Sequence, residues 1–251
     1  MKKRNQVVIG LIAAIIMLAC ACPVSGLPFG TEEQPTPGLP VLPPVATIES
    51  APATEAPLQP AANAIFSDDF SSPSAEMETY SGDGGSAGTE NGVYVIRSTA
   101  DLWQWGKSTS TFDNAIIEAD VTMIAGPTNN NAGFGIICRL SERDDTSIDG
   151  YMFAISGDGY YSIRHIVSGN MNALADWTES SAVNQGNASN HLRVTCNGSD
   201  LRLEVNGQEV ASVVAPVDGP TSGTMAFAAI SFETDQPYAE GHFDNLIVSQ
   251  P

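Results

Sequence analysis

A chain of 251 residues with 29 acidic and 10 basic side chains carries a formal net charge of −19. That balance argues against nucleic acid or an anionic lipid surface as partner, and it suits an extracellular surface and the binding of cations. The three histidines, His165, His191 and His242, show no metal-ligand spacing, and neither a nucleophile elbow nor a phosphate loop occurs.

The chain begins with three cations, Lys2, Lys3 and Arg4, followed by an apolar run from Val7 to Ala19 that ends at Cys20. A charged start, about a dozen apolar residues and then small ones form a secretory signal, too short to span a bilayer comfortably. Met17-Leu18-Ala19-Cys20 resembles the lipobox of bacterial lipoproteins. The resemblance implies cleavage after residue 19 and acylation of Cys20, and so a membrane-anchored protein facing the extracellular side. Met17 and Leu18 depart from the usual residues of that motif, and Cys22 is the alternative acceptor.

Residues 20–64 form a linker that holds ten of the chain's sixteen prolines, with Ala, Thr and Glu between them. No helical or strand period survives there, so the segment reads as an extended, disordered tether. Residues 65–251 remain, with 25 acids and 7 bases, enough for one domain with its own core.

Strand signals fill this domain. They are predicted at Ile65–Phe70, Gly92–Ser98, Asp101–Lys107 and Asn114–Ile124. In the last of these Ala115, Ile117, Ala119, Val121 and Met123 alternate with Glu118, Asp120 and Thr122, the pattern of a half-buried antiparallel strand. Gly133–Leu140 follows, then a hairpin from Tyr151–Ser156 to Tyr160–Val167 through Gly157-Asp158-Gly159. Leu192–Cys196, Leu201–Val205 and Glu209–Val214 are separated by two Asn-Gly turns, Asn197-Gly198 and Asn206-Gly207, a strong hairpin signal. Thr224–Phe232 and His242–Ser249 close the series. So many short strands with frequent turns predict an all-β antiparallel sandwich or barrel.

Three segments carry a resemblance: Ser67-Asp68-Asp69-Phe70, Gly133-Phe134-Gly135-Ile136-Ile137-Cys138-Arg139-Leu140, and Phe243-Asp244-Asn245-Leu246-Ile247-Val248. They look like landmarks of the concanavalin A-like lectin and glucanase superfamily, and the layout from Tyr151 to Gly207 is similar to its laminin G-like members. The resemblance implies a two-sheet jelly roll and leaves open sugar binding, adhesion or glycoside hydrolysis.

For hydrolysis, family 16 glycosidases of this fold carry Glu-x-Asp-x-x-Glu or Glu-x-Asp-x-Glu on one strand. Glu118-Ala119-Asp120 is the nearest approach, but Thr122 and Met123 stand where the further acid belongs. The expectation is a non-enzymatic protein that binds a glycan or another extracellular ligand, with an adhesion or scaffold module for a surface protein as the alternative. Ligand-binding candidates are Trp103 and Trp105, two apart on one strand face, Tyr160 and Arg164 on another, Arg139 opposite Phe134, Ile136, Cys138 and Leu140, and Trp177. Core packing is the other reading of Trp103 and Trp105, and Trp177 fits either a core gap or a loop edge.

Structural Ca²⁺ is a candidate cofactor. Asp144, Asp145 and Asp149 cluster in one loop, and Asp68 or Asp69 meets Asp244 if the terminal strands pair. Solvated acidic loops are the alternative. Cys138 and Cys196 both face inward by alternation, as a disulfide or as two buried thiols.

Overall fold

A computed structural model describes residues 63–144 and 147–251. The signal segment, Cys20, Cys22 and nearly all of the linker lie outside the described residues, as does Asp145.

Among the described residues the regular elements are all strands. They are β1 (Ala64–Asp68), β2 (Tyr80–Gly82), β3 (Gly85–Glu90), β4 (Val93–Ser98), β5 (Gln104–Phe112), β6 (Ala115–Ala125), β7 (Ala132–Glu142) and β8 (Ile148–Ser156). Then come β9 (Tyr160–Val167), β10 (Asn170–Glu179), β11 (Ser189–Asn197), β12 (Asp200–Val205), β13 (Gln208–Val214), β14 (Gly223–Ser231) and β15 (Ala239–Ser249). They form two antiparallel sheets. The nine-stranded sheet runs β13-β12-β11-β6-β15-β4-β3-β2, with β1 also on β15, and the six-stranded sheet runs β10-β9-β8-β7-β14-β5.

The alternation in β6 decides its orientation. Ala115, Ile117, Ala119, Val121 and Met123 are buried between the sheets, while Glu118, Asp120 and Thr122 face outward. Equivalent alternation in β11 and β12 sends Leu192, Val194, Leu201 and Leu203 to the same interior. Rings fill its centre: Phe227 stacks on Phe243 at 4.3 Å and contacts Tyr94 at 5.9 Å, and Tyr94 meets Phe70 at 5.4 Å. Cys138 on β7 and Cys196 on β11 are joined in a disulfide that ties one sheet to the other.

At the β12–β13 hairpin Asn206 and Gly207 both take positive φ, 52° and 78°, the conformation that favours Asn-Gly in two-residue turns. The preceding turn is displaced by one residue from its expected place. Asn197 pairs with Asp200, so the loop is Gly198-Ser199.

Three strands were not expected. β2 and β3 are rich in Gly and Ser and were not among the expected strands, yet β3 is held along its length by β4. β10 is an edge strand on β9, its alternation of Met171, Ala173, Ala175 and Trp177 interrupted by Leu174 and by two register shifts. β5 starts three residues later than expected, at Gln104, and runs on to Phe112.

Arg139 corrects an expectation. Strict alternation turns it away from Cys138 and out to solvent, but its φ is 53° and the β7–β8 ladder slips between Cys138 and Ser141. The bulge reverses the faces. Leu140 joins the outer apolar cluster of the six-stranded sheet, and Arg139 turns into the end of the sandwich, where it is only 4% exposed.

Candidate functional site

The outer face of the six-stranded sheet carries most of the candidate ligand residues. Cross-strand register places Trp105, Ala228, Gly135, Ala154 and Ser162 in one row, and Lys107, Ala226, Ile137, Met152 and Arg164 in the next. An open sugar platform would leave this floor exposed. Instead Ile137, Met152, Ala226 and Ala228 are 0% exposed, and Trp103, Trp105, Met171 and Trp177 pack over them as a second core. Trp103 and Trp105, half-buried like Trp177, cover this floor. Gly133 makes room for the first of them, since a Cβ there would sit 2.7 Å from Cη2 of Trp103.

What remains open is a cleft of about 370 Å³ where this face meets the loops. Its walls are Trp177 on β10, Tyr160 at the start of β9, Phe232 just after β14, Asn131 before β7, and Ser156 and Asp158 at the β8–β9 turn. Phe232 meets Trp177 edge to face, 5.5 Å between centroids and 77° between planes, and meets Trp103 likewise at 5.9 Å. Trp177, Phe232 and Tyr160 are half-buried. They present apolar ring surface beside the carboxylate of Asp158, the amide of Asn131 and the Tyr160 hydroxyl. That combination suits a ligand with an apolar C–H face and a polar edge.

The cleft is held by hydrogen bonds between loops. Glu233 Oε1 accepts from the side-chain amides of Asn129 (2.6 Å) and Asn131 (2.8 Å), and those amides hold its carboxyl below the usual range. The Phe232 amide donates to the Asn131 carbonyl at 3.1 Å. On the opposite side the Gly157 amide donates to Ala132 O and the Ser180 amide to Gly159 O, and the Ser156 hydroxyl contacts Asp158. Arg164 lies beside the cleft with its guanidinium carbon 5.7 Å from the Trp177 ring. It is fixed by Ser162 Oγ at 2.7 Å and by Asp176 at 2.8 Å. Tyr160, Arg164 and Trp177 are thus brought together, Trp103 touches them through Phe232, and Trp105 and Arg139 stand apart. Phe232, Asn131 and Asp158 were not singled out from sequence.

The acidic candidates are engaged singly. Asp68 accepts from the Phe70 amide at 2.8 Å, and Asp69 from the amide and hydroxyl of Ser71. Asp149 is bonded to Arg143 and to the Ser168 amide, which keeps its carboxyl low. Asp144 is exposed. β1 does pair with β15, and Asp244 feels Asp120, Asp69 and Asp68; burial foremost, then these neighbours, raises its carboxyl. No three Asp, Glu, His or Cys side chains among the described residues converge closely enough to hold a metal ion, and Asp145 of the acidic loop lies outside those residues.

Glu118 and Asp120 lie on the outer face of the nine-stranded sheet, away from the cleft's sheet. His191 Nδ1 is 2.8 Å from Asp120, Arg193 is paired with Glu118, and Asn245 donates to Asp120 at 2.8 Å. Hydrogen bonds to these two carboxylates push the His191 pKa up to about 9, and His191 in turn lowers Glu118. A 440 Å³ depression there is lined mostly by polar groups, with no Trp, Tyr or Phe ring. A larger cleft, about 1010 Å³, opens at the end of the sandwich near Gln250. Its one ring, Phe112, is buried and stacked on Phe66, so it offers no stacking face. The smaller aromatic cleft is the better site on chemical grounds.

Residues 117–250 match the family model for the concanavalin A-like lectin/glucanases superfamily, laminin G type. Similar solved structures include the carbohydrate-binding module CBM66 from Bacillus subtilis, with 14% identity, 70% of this chain and 96% of that chain covered, and a TM-score of 0.54. A Bacillus subtilis protein of unknown function with a galectin-like fold shows 12% identity, covers 76% and 97%, and has a TM-score of 0.57. A Bacillus licheniformis β-glucanase shows 11% identity, covers 74% and 98%, and has a TM-score of 0.54. At these identities the likeness is one of fold. A comparison with curated proteins found no match.

Proposed function

The chain belongs to the concanavalin A-like lectin/glucanase superfamily, and on that premise we propose that it is a sugar-binding module, non-enzymatic and displayed at the cell surface. One observation carries the reading: the aromatic cleft of Trp177, Phe232 and Tyr160, edged by Asn131 and Asp158, where the outer face of the six-stranded sheet meets the loops. Rings stack on the C–H face of a sugar while the amide and carboxylate take its hydroxyls. Fold neighbours that include a carbohydrate-binding module support this choice.

Binding without hydrolysis is favoured by the placement of the carboxylates. Retaining and inverting glycosidases need two acids facing each other across the bond they break, one of them kept protonated. The cleft lining has one carboxylate, Asp158. Glu118 and Asp120 lie on the other sheet, and their cationic partners favour the ionised form.

A panel of neutral and acidic oligosaccharides tests the reading. Saturable binding is expected, weakened by roughly 5- to 30-fold in Trp177→Ala, since stacking of a sugar on an aromatic ring contributes on the order of 1–2 kcal/mol. Binding that survives Trp177→Ala unchanged, or none across the panel, contradicts it. The display at the surface rests on the lipobox-like run ending at Cys20. Cys20→Ser is expected to move the protein from the membrane fraction to the soluble one, and an unchanged membrane fraction refutes the anchor.

A further inference from the structure

We propose that Asn91 is a site of spontaneous covalent modification, converting to aspartate and isoaspartate while the chain's two other Asn-Gly pairs are held back by the fold. Asparagine is followed by glycine at Asn91-Gly92, Asn197-Gly198 and Asn206-Gly207. Glycine has no Cβ to hinder its own nitrogen, so it is the follower that most favours attack on the asparagine side chain. In that reaction the Gly92 nitrogen bonds to the Asn91 side-chain amide carbon. Its proton passes to the amide nitrogen, and ammonia leaves. Water then adds to either carbonyl of the resulting cyclic imide and opens it, giving aspartate or isoaspartate.

Sequence ranks the three pairs alike, and all three asparagines are exposed. Hydrogen bonds separate them. Asn91-Gly92 closes the β3–β4 hairpin, where Glu90 pairs with Val93, and Asn206-Gly207 closes β12–β13, where Val205 pairs with Gln208. The two turns share a backbone, with φ of 50° and 84° in the first and 52° and 78° in the second. Asn206 is locked all the same. Its Oδ1 accepts from the His191 amide at 2.8 Å, and its Nδ2 donates to the Ala182 carbonyl at 2.8 Å and to Asn190 Oδ1 at 2.9 Å. At Asn197 the attacking nitrogen is engaged instead. The Gly198 N–H donates to Asn114 Oδ1 at 2.8 Å, and the Gly198 carbonyl accepts from Arg139 at 2.9 Å.

Neither the Asn91 side chain nor the Gly92 N–H has a hydrogen-bond partner among the described residues. Rotation of the amide onto the next nitrogen breaks no bond there, whereas at the other two pairs it does. The new carboxylate stands next to Glu90, which shares Arg97 with Glu240. Isoaspartate also lengthens the main chain of a two-residue turn.

The test keeps the purified protein in mildly alkaline buffer, folded or unfolded in urea, and samples it for peptide mass mapping and isoaspartate content. In the folded protein Asn91 is expected to convert at least about tenfold faster than Asn197 or Asn206. In urea the three rates are expected to converge, because the protection belongs to the fold. Folded Asn197 or Asn206 keeping pace with Asn91 overturns the proposal. So does a folded Asn91 that stays intact over the time in which the unfolded chain converts.

Discussion

Arg139→Ala is expected to lower the unfolding free energy by about 3–5 kcal/mol, read from the urea midpoint. The guanidinium is buried at the end of the sandwich with no carboxylate hydrogen-bonded to it. Nε donates to the Asp113 carbonyl at 2.8 Å, Nη1 to Gly198 at 2.9 Å and Pro220 at 3.4 Å, and Nη2 to the Asn114 side chain at 3.1 Å. These acceptors belong to three separate connections, β5–β6, β11–β12 and β13–β14, so one planar fork fixes the loops at that end. Truncation leaves several acceptors without a donor, each worth about 1–3 kcal/mol where water cannot replace it, and a cavity besides. Burial already lowers the Arg139 pKa, so the cation is retained for this geometry at some electrostatic cost. Lysine keeps the charge without the fork, and Arg139→Lys is expected to recover less than half of the loss. A loss below about 1 kcal/mol in Arg139→Ala, within the range of an ordinary surface change, contradicts this role.

The disulfide gives the second large effect. Cys138 and Cys196 are 58 residues apart, and closing a loop of that length restricts the unfolded chain by about 4 kcal/mol on the chain-entropy estimate. Both half-cystines are buried, and the bond crosses the interior between the sheets. The double variant Cys138→Ala/Cys196→Ala is expected to melt roughly 8–16 °C lower than the parent, and reductant to shift the parent by a similar amount. A parent whose melting temperature ignores reductant, while both thiols become titratable, contradicts the prediction. Arg139 follows Cys138 directly, so the two losses are expected not to add: both act on the same end of β7.

How far the sequence carried these conclusions depended on the element. Ala115 to Met123 alternate so regularly that strand, buried face and outward acids could all be read, because one apolar face leaves only one register. The Asn206-Gly207 turn was legible for a local reason, its need for two positive φ angles. β10 was missed although Met171, Ala173, Ala175 and Trp177 alternate with Asn172, Asp176 and Thr178, because small alanines and Leu174 blur the pattern. Arg139 failed for a different reason. Parity holds only along an unbroken ladder, and a single bulge at that residue reversed the faces of everything beyond it.

The candidate site was legible in part. Tyr160 and Arg164 stood out on one strand face and Trp177 as a ring for a core gap or a loop edge, but the covering of the sheet by Trp103 and Trp105 depends on how the sheet is packed. Phe232 read as the end of a strand, and Asp158 as a turn residue between two glycines. The loop clip through Glu233, Asn129 and Asn131 holds the chain beside Phe232, and the β8–β9 turn sets Asp158 close to Tyr160. A sequence signal for them existed in the aromatic residue just beyond β14 and the acid beside Tyr160, yet neither has meaning until the loops are placed.

The most direct measurement of the central claim uses the chain's three tryptophans, each with one indole N–H. In a nitrogen–proton correlation spectrum, titration with the sugar that binds is expected to shift the Trp177 indole signal saturably and leave that of Trp105 in place, with assignments made from the single Trp→Phe variants. A Trp177 signal that stays fixed while the sugar binds, or a shift confined to Trp105, would contradict the assignment of the cleft as the binding site.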